Sequence, residues 1–195
     1  SNTKIEKSFN LDLKLKTLLV TIHPTTLNDL NLKNDIQNVL KAIKKTNMQA
    51  IFTYPNSDHG HETIIKLISV FCKNSKKYIF LKNLSAYLYP SILKKCFAMV
   101  GNSSSGIVEA ASFKMPVINI GTRQDGKIHG KNVVNSDYSY RSITRAFEKI
   151  SSKSFLKSIS NIKNLYEPNM TPKEIFNLIE KLIKKPNLLK KKFVD

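Results

Sequence analysis

Residues 96–121 read CFAMVGNSSSGIVEAASFKMPVINIG. An apolar run ends at Val100, Gly101 and Asn102 make a turn, and a short helical stretch starts near Ser104. A second apolar run follows at Val117–Ile120. Neither run alternates with polar residues, so each reads as a strand buried on both faces, and strand, helix, strand in that order implies a right-handed parallel crossover. The pattern extends outward along the chain. Further apolar runs rich in β-branched residues lie at Leu18–Ile22, Ala50–Tyr54, Tyr78–Leu81, Ala98–Gly101 and Asn132–Val134. Between them come helical spacings through Leu32, Ile36, Val39, Leu40 and Ile43, then Ile64, Ile65, Ile68 and Phe71, then a short segment from Pro90 to Cys96. The alternation predicts an α/β fold with a doubly wound parallel sheet. Tyr138–Ile150 adds a helix. The stretch TPKEIFNLIEKLIKK opens a terminal helix with Thr171 as N-cap, Pro172 at N1 and Glu174 at N3. Residues 151–170, rich in serine and asparagine, read as a connection.

At 195 residues the chain fits one domain with an appended helix. The expected division is an extension over 1–17, whose Ser1-Asn2 start resembles an expression scar, a doubly wound α/β domain with a C-terminal helix over 18–185 and a basic tail over 186–195. No apolar run approaches the roughly 18 residues of a membrane span, so a cytoplasmic protein without membrane contact is expected. Cys72 and Cys96 lack metal-ligand spacing and read as buried free thiols. The formal charge of +18 is the usual footprint of a nucleic-acid partner. Yet it is nearly all lysine spread along the chain, and only Arg123, Arg141 and Arg145 offer a guanidinium fork. Specific nucleic-acid binding is therefore not expected.

In an open parallel sheet, ligands collect at the carboxyl ends of the strands, where loops lead into helix N-termini. Ser103, Ser104 and Gly106 stand where backbone N–H groups would meet an anion, and their small side chains leave room for a phosphate. Glu109 lies more than a turn farther in. There a carboxylate repels phosphate but can accept hydrogen bonds from vicinal ribose hydroxyls. A nucleoside diphosphate satisfies both halves. The plainer alternative is a serine N-cap, at Ser104 or Ser105, with Glu109 a solvated helix residue.

Other strand ends carry polar groups. His23 stands where the first strand stops, in LLVTIHPTT, as either a structural or a catalytic histidine. IFTYPNSDHGHE places Asn56, Asp58, His59 and His61 after the second strand; a metal site is conceivable there, and a helix cap by Ser57 or Asp58 is the plainer reading. Arg123 follows the fifth strand and either clamps an anion or forms a surface ion pair. Four strand ends converging on one rim argue for a shared cleft.

LLVTIHPTT, IFTYPNSDHG, GNSSSGIVEAASFKMPVINIGTRQDGK and KNVV, in this order and spacing, resemble the C-terminal half of hydrolysing UDP-N-acetylglucosamine 2-epimerases of the sialic-acid type. The similarity runs from about Asp12 to Leu182. The chain lacks the TERPE-like ending that follows the corresponding strand in non-hydrolysing relatives. The resemblance implies a GT-B-like enzyme of two Rossmann-like domains facing a cleft, with the C-terminal domain holding the nucleotide and the terminal helix packing back towards the first domain. Carried over residue by residue, it implies diphosphate contacts at Ser103 and Ser104, a ribose ligand at Glu109 and a diphosphate-side or cleft residue at Arg123. It further implies an active-site histidine at His23, a polar cleft position at Asn56, and a base-edge contact from the backbone of Leu84 with Tyr87 or Tyr89 packing on uracil. The spelling LKNLSAYLYP departs from commoner family forms around these last residues. The His59-Gly60-His61 stretch also replaces smaller residues.

In such enzymes a base takes the proton from sugar C2, UDP leaves C1, and water adds to the glycal-like intermediate to give N-acetylmannosamine and UDP. The resemblance implies no metal and no cofactor. Its implied partners are UDP, UDP-N-acetylglucosamine or a related UDP-sugar, and an N-terminal domain that carries the acid/base carboxylates, in a homo-oligomer when full length. Without that domain the chain is expected to lack turnover and keep weak UDP affinity. A GT-B glycosyltransferase donor domain, a non-catalytic nucleotide-sugar sensor and a nucleic-acid-binding domain are the competing readings.

Overall fold

The computed structural model describes residues 12, 14–25, 31–85 and 87–184. The expected basic tail, and all but a few residues of the expected 1–17 extension, lie outside these. Two compact units divide at residue 165: Ser1–Leu165 and Tyr166–Asp195.

The larger unit is built on six parallel strands: β1 Thr17–Thr21, β2 Gln49–Thr53, β3 Tyr78–Leu81, β4 Ala98–Gly101, β5 Val117–Ile120 and β6 Val133–Ser136. They lie side by side in the order β3-β2-β1-β4-β5-β6, and every neighbouring pair is parallel. The order reverses between β1 and β4, and a crevice opens at their carboxyl ends. Thr21 stands opposite Gly101 there. Parallel pairing with helices on both faces explains the unalternated apolar runs. Successive side chains point to opposite faces, so Leu18, Val20 and Ile22 join one core with Ile36, Ile43, Ile64 and Ile143. Leu19 joins the other, with Ile92, Met99, Ile107 and Met115.

The crossovers are α1 Leu32–Thr46, α2 His61–Cys72, α3 Leu88–Leu93 and α4 Ser104–Val108, the last running into a 3-10 turn at Ala110–Phe113; α5 Tyr140–Ser151 follows β6. In α1 the residues Ile36, Val39, Leu40 and Ile43 form the buried face that their spacing predicts. Correction is needed after α5. The stretch expected to be a connection contains another helix, α6 Lys153–Ile159, capped by Ser152 and buried through Phe155 and Ile159. Its apolar pair four apart is the helical signal, diluted by the surrounding serines and lysines. The smaller unit carries α7 Pro172–Ile183, in which the side chain of Thr171 accepts from Glu174 N–H and the Glu174 carboxylate accepts from Thr171 N–H at 2.6 Å. These bonds hold the Glu174 carboxyl below its ordinary range, first through the backbone N–H of Thr171.

The topology also locates much of the charge. Lys44 and Lys45 close α1, Lys73, Lys76 and Lys77 lie between α2 and β3, and Lys94 and Lys95 lie between α3 and β4. Helix carbonyl ends favour cations, and in a parallel sheet those ends share one edge, opposite to the crevice. Among the described residues no helix is long and apolar enough to cross a membrane.

Candidate functional site

Beyond β1 the chain leaves the sheet at Ile22, and His23 is fastened at three points. Its N–H donates to Asn102 Oδ1 at 2.7 Å, and its carbonyl accepts from Asn102 Nδ2 at 2.8 Å. Its ring Nδ1 accepts from the backbone N–H of Asn56 at 3.0 Å. With Nδ1 occupied as an acceptor, the neutral ring carries its proton on Nε2. Burial, then the Arg123 guanidinium, pushes the pKa of His23 down, against weaker opposing effects of the Asn56 side chain and Asp58. The ring is thus neutral at pH 7 and able to exchange a proton at Nε2.

Asn56 sits between His23 and the acidic loop. Its Nδ2 donates to the Asp58 carboxylate, while its Oδ1 is buried without a partner. An orphaned buried carbonyl is costly and marks a place where a donor would be welcome. Neither Ser57 nor Asp58 caps α2 by its side chain, contrary to the cap expected there. Gly60 occupies the N-cap at φ 88°, and the Asp58 carbonyl accepts from His61 N–H and lies 2.9 Å from its Nδ1. Among the described residues no three His, Cys, Asp or Glu side chains are placed to hold a metal ion. Cys96 is buried and Cys72 partly so, and burial pushes their thiols up to about 12 and about 11. Neither is a thiolate nucleophile at neutral pH.

At the end of β4, Gly101 adopts φ +132°, which lets Asn102 N–H reach Thr21 carbonyl at 3.1 Å. Asn102 is fully buried. Its own carbonyl accepts from Arg123 Nη1 at 3.3 Å and from Gln124 Nε2 at 2.8 Å, and its Nδ2 lies 3.4 Å from the Tyr138 hydroxyl. The Tyr138 ring approaches because Gly121 has no side chain: a Cβ there would lie 2.4 Å from it. The TRQDGK loop is thereby drawn onto the end of β4, with Arg123 exposed at its surface. Asn102, Gln124 and Tyr138 are not among the expected site residues. Their relation to His23 spans 79 positions of chain, and no local pattern announces it.

Ser103 is the N-cap of α4, its side chain accepting from Ser105 N–H at 3.4 Å. The plainer capping alternative therefore falls one residue earlier than Ser104 or Ser105. Ser104 is exposed as the first helical residue, where helix geometry leaves amides without acceptors. Gly106 donates its N–H to the Ser103 carbonyl, and a Cβ on it would stand 2.9 Å from Val117 Cγ1. Its visible contribution is close packing of α4 on β5. Glu109 is exposed yet held: Ser105 Oγ donates to its Oε2 and receives the Tyr89 hydroxyl at 2.6 Å. Burial raises the pKa of Tyr89, so the phenol stays protonated and keeps donating. Ser105 is a further residue missed as a site member, although its spacing of four from Glu109 on a helix is a legible signal.

A cavity of about 250 Å³ brings His23, Leu84, Tyr89 and Ser103 together with Thr21, Thr53, Tyr54, Lys82 and Asn83. It opens at the carboxyl ends of β1, β2, β3 and β4. Tyr87, the alternative aromatic, is 92% exposed and lies outside that lining. Glu109, Asn56 and Arg123 also lie outside it, each joined to a lining residue through one or two hydrogen-bonded steps. The result is a hollow with two tyrosines, a neutral histidine and a lysine in its wall, linked through hydrogen bonds to a fixed carboxylate and to a guanidinium.

A doubly wound sheet of this order with a polar hollow at its switch point is a Rossmann-like α/β domain, and such a crevice is where ligands collect in these folds. The family model described as UDP-N-acetylglucosamine 2-epimerase matches residues 1–180, and the chain belongs to that family. It is 37% identical over 193 residues to a GDP/UDP-N,N'-diacetylbacillosamine 2-epimerase (hydrolyzing) of Campylobacter jejuni, covering 98% of this chain and 50% of the relative. A UDP-N,N'-diacetylbacillosamine 2-epimerase (hydrolyzing) of Legionella pneumophila is 31% identical over 172 residues, covering 88% of this chain and 44% of its own length. Among solved structures, a Neisseria meningitidis UDP-GlcNAc 2-epimerase bound to UDP-GlcNAc superposes with a TM-score of 0.73 at 17% identity, over 94% of this chain and 49% of that one. The chain thus spans about half the length of the relatives it matches, and its Rossmann-like sheet shares the fold of the matching half of that structure.

Proposed function

We propose that this chain is the C-terminal, nucleotide-binding half of a hydrolysing UDP-N-acetylglucosamine 2-epimerase, inactive without an N-terminal domain. The reading is carried by the convergence at one sheet edge of the cavity holding His23, Leu84, Tyr89 and Ser103 with a carboxylate fixed on its flank. Uracil lies against Leu84 and Tyr89, Glu109 accepts from the ribose hydroxyls, and the diphosphate meets the Ser103–Ser104 amides and Arg123. A helix of five residues supplies little dipole field, so these groups act mainly as direct hydrogen-bond donors and local charge. In the complete enzyme a base on the other half removes the C2 proton. The C1–O bond then breaks with its electron pair going to the diphosphate, and water adds its hydroxyl at C1 and a proton at C2. The role of this half is to stabilise the leaving diphosphate, with His23 exchanging a proton through Nε2.

Titration calorimetry of the chain with UDP tests the binding claim. Dissociation constants on the order of 0.1 to 1 mM are expected, with no N-acetylmannosamine released from UDP-N-acetylglucosamine. Silence with UDP alongside steeply salt-dependent oligonucleotide binding would overturn the assignment. With the full-length protein, free N-acetylmannosamine supports the epimerase and a sugar passed to an acceptor supports a glycosyltransferase. The names of the 37% and 31% identical relatives favour a second reading of the sugar, a UDP-linked diacetamido sugar. Competing the two sugars as substrates of the full-length protein separates them, because the uridine diphosphate contacts of this half are common to both.

Binding should also take up protons. Burial, and after it Arg123, holds the pKa of His23 below its ordinary value of 6.5. A diphosphate at Arg123 offsets that positive field and raises the pKa in the complex. The bound state then holds more protons, so UDP affinity increases as pH falls through the range between the free and bound values. Calorimetry in mildly acidic buffers of different ionisation enthalpy should register this uptake, and His23→Gln should abolish it. Uptake unchanged in that variant would assign the proton elsewhere.

A further inference from the structure

We infer that Asn102 is the positioning residue of this site: its one buried side chain fixes the backbone of His23 while its carbonyl holds the loop that carries Arg123. This role rests on the reading of His23 and Arg123 as a cleft pair. At Thr21 the pairing of β1 with β4 ends, and beyond it His23 would have loose backbone groups at a crevice open to water. The Asn102 carboxamide supplies an acceptor and a donor in the geometry of a peptide group. It receives His23 N–H at 2.7 Å and donates to His23 carbonyl at 2.8 Å, continuing the ladder by one step with a side chain in place of a strand. Its backbone is as fully used: N–H to Thr21 carbonyl at 3.1 Å, carbonyl to Arg123 Nη1 at 3.3 Å and to Gln124 Nε2 at 2.8 Å.

The consequence is mechanical. His23 and Arg123 come from different loops, yet both are tied to one residue held at 0% exposure, so the separation between ring and guanidinium is set by Asn102. The groups that bear on the ring are Arg123, Asp58 and the Asn56 side chain. Asp58 and Asn56 belong to the loop after β2, and neither is a hydrogen-bond partner of Asn102. A side-chain change at Asn102 keeps the carbonyl that holds Arg123 but frees the backbone of His23, so it alters the burial of the ring and its distance from the guanidinium, the two influences that lower its pKa. No other natural side chain combines a donor and an acceptor at this length. Aspartate keeps the acceptor for His23 N–H but loses the donor, and serine is too short to span both.

The experiment is an NMR titration of the His23 ring in the unliganded chain, wild type against Asn102→Ser and Asn102→Asp, followed by UDP titration of each. In Asn102→Ser the midpoint should move back toward 6.5, the ordinary histidine value, and UDP-linked proton uptake should disappear. In Asn102→Asp the midpoint should rise further, since a carboxylate beside the ring favours its charged form, and UDP affinity should fall at least roughly 10-fold through repulsion of the diphosphate. A folded Asn102→Ser protein with the wild-type His23 midpoint would overturn the inference and reduce Asn102 to a scaffold residue. Should neither variant fold, the wild type decides by amide exchange. His23 N–H should be protected to the same degree as the amides of β1, and rapid exchange there would equally overturn it. A shifted midpoint in Asn102→Ser with no UDP binding by wild type sustains the positioning role and sinks the nucleotide reading instead.

Discussion

Gly101→Ala is expected to leave little folded protein. A Cβ on Gly101 would stand 1.9 Å from the Thr21 carbonyl oxygen and 2.7 Å from its carbon. Both atoms are backbone of the central strand, so no side-chain rotation relieves the clash. The φ of +132° adds a conformational penalty for any residue with a Cβ. Separating β4 from β1 far enough would break the Asn102 N–H to Thr21 bond and the grip of Asn102 on His23, so the loss should exceed about 4 kcal/mol, the range reserved for core disruption. Gly126→Ala is the control. Gly126 has φ +80° with nothing within 4 Å of its would-be Cβ, so only backbone strain of about 1 to 2 kcal/mol applies. Denaturant unfolding of both variants separates the two contributions. A Gly101→Ala protein within about 1 kcal/mol of wild type would mean that β1 and β4 do not meet as described.

That contrast indicates which features were legible in the sequence. The strands were readable because parallel pairing buries both faces and leaves unalternated runs such as Ala98–Gly101 and Val117–Ile120, and both fall on the observed boundaries. The helix at Pro172 was readable because Thr171, Pro172 and Glu174 specify a start by local chemistry. The helix at Lys153–Ile159 was not, since its two buried residues are surrounded by serine and lysine and its cap, Ser152, looks like one more serine of a loop. In the site, the residues at strand ends could be located because topology alone brings strand ends together. The contacts that orient them could not. Tyr89 to Ser105 and His23 to Asn102 join residues 16 and 79 positions apart, and the second depends on how closely Gly101 lets the backbones of β4 and β1 approach.

Glu109→Ala should cause the largest loss of nucleotide affinity. Ser105 occupies Oε2, leaving Oε1 and the remaining lone pairs to accept from the ribose. Hydrogen bonds to a charged group contribute a net of about 1.5 to 3 kcal/mol each. Glu109 is exposed, so a net 2 to 3 kcal/mol is the reasonable scale, or roughly 30- to 150-fold in the dissociation constant for UDP. Losing an exposed carboxylate alone would not identify its partner, and 2'-deoxy-UDP supplies that information. Wild type should bind the deoxynucleotide more weakly than UDP, whereas Glu109→Ala should bind the two almost equally, because the group that distinguishes them is gone. Tyr89→Phe should weaken UDP by a smaller amount, about 1 kcal/mol, since it releases Ser105 and lets the carboxylate swing without removing it. Those effects should not add: in Glu109→Ala the Tyr89→Phe change should have little left to disturb through this route. Equal UDP binding by wild type and Glu109→Ala, or undiminished discrimination by the variant against the deoxynucleotide, would show that the ribose sits elsewhere. The Tyr89–Ser105–Glu109 chain would then serve only to fasten α3 to α4.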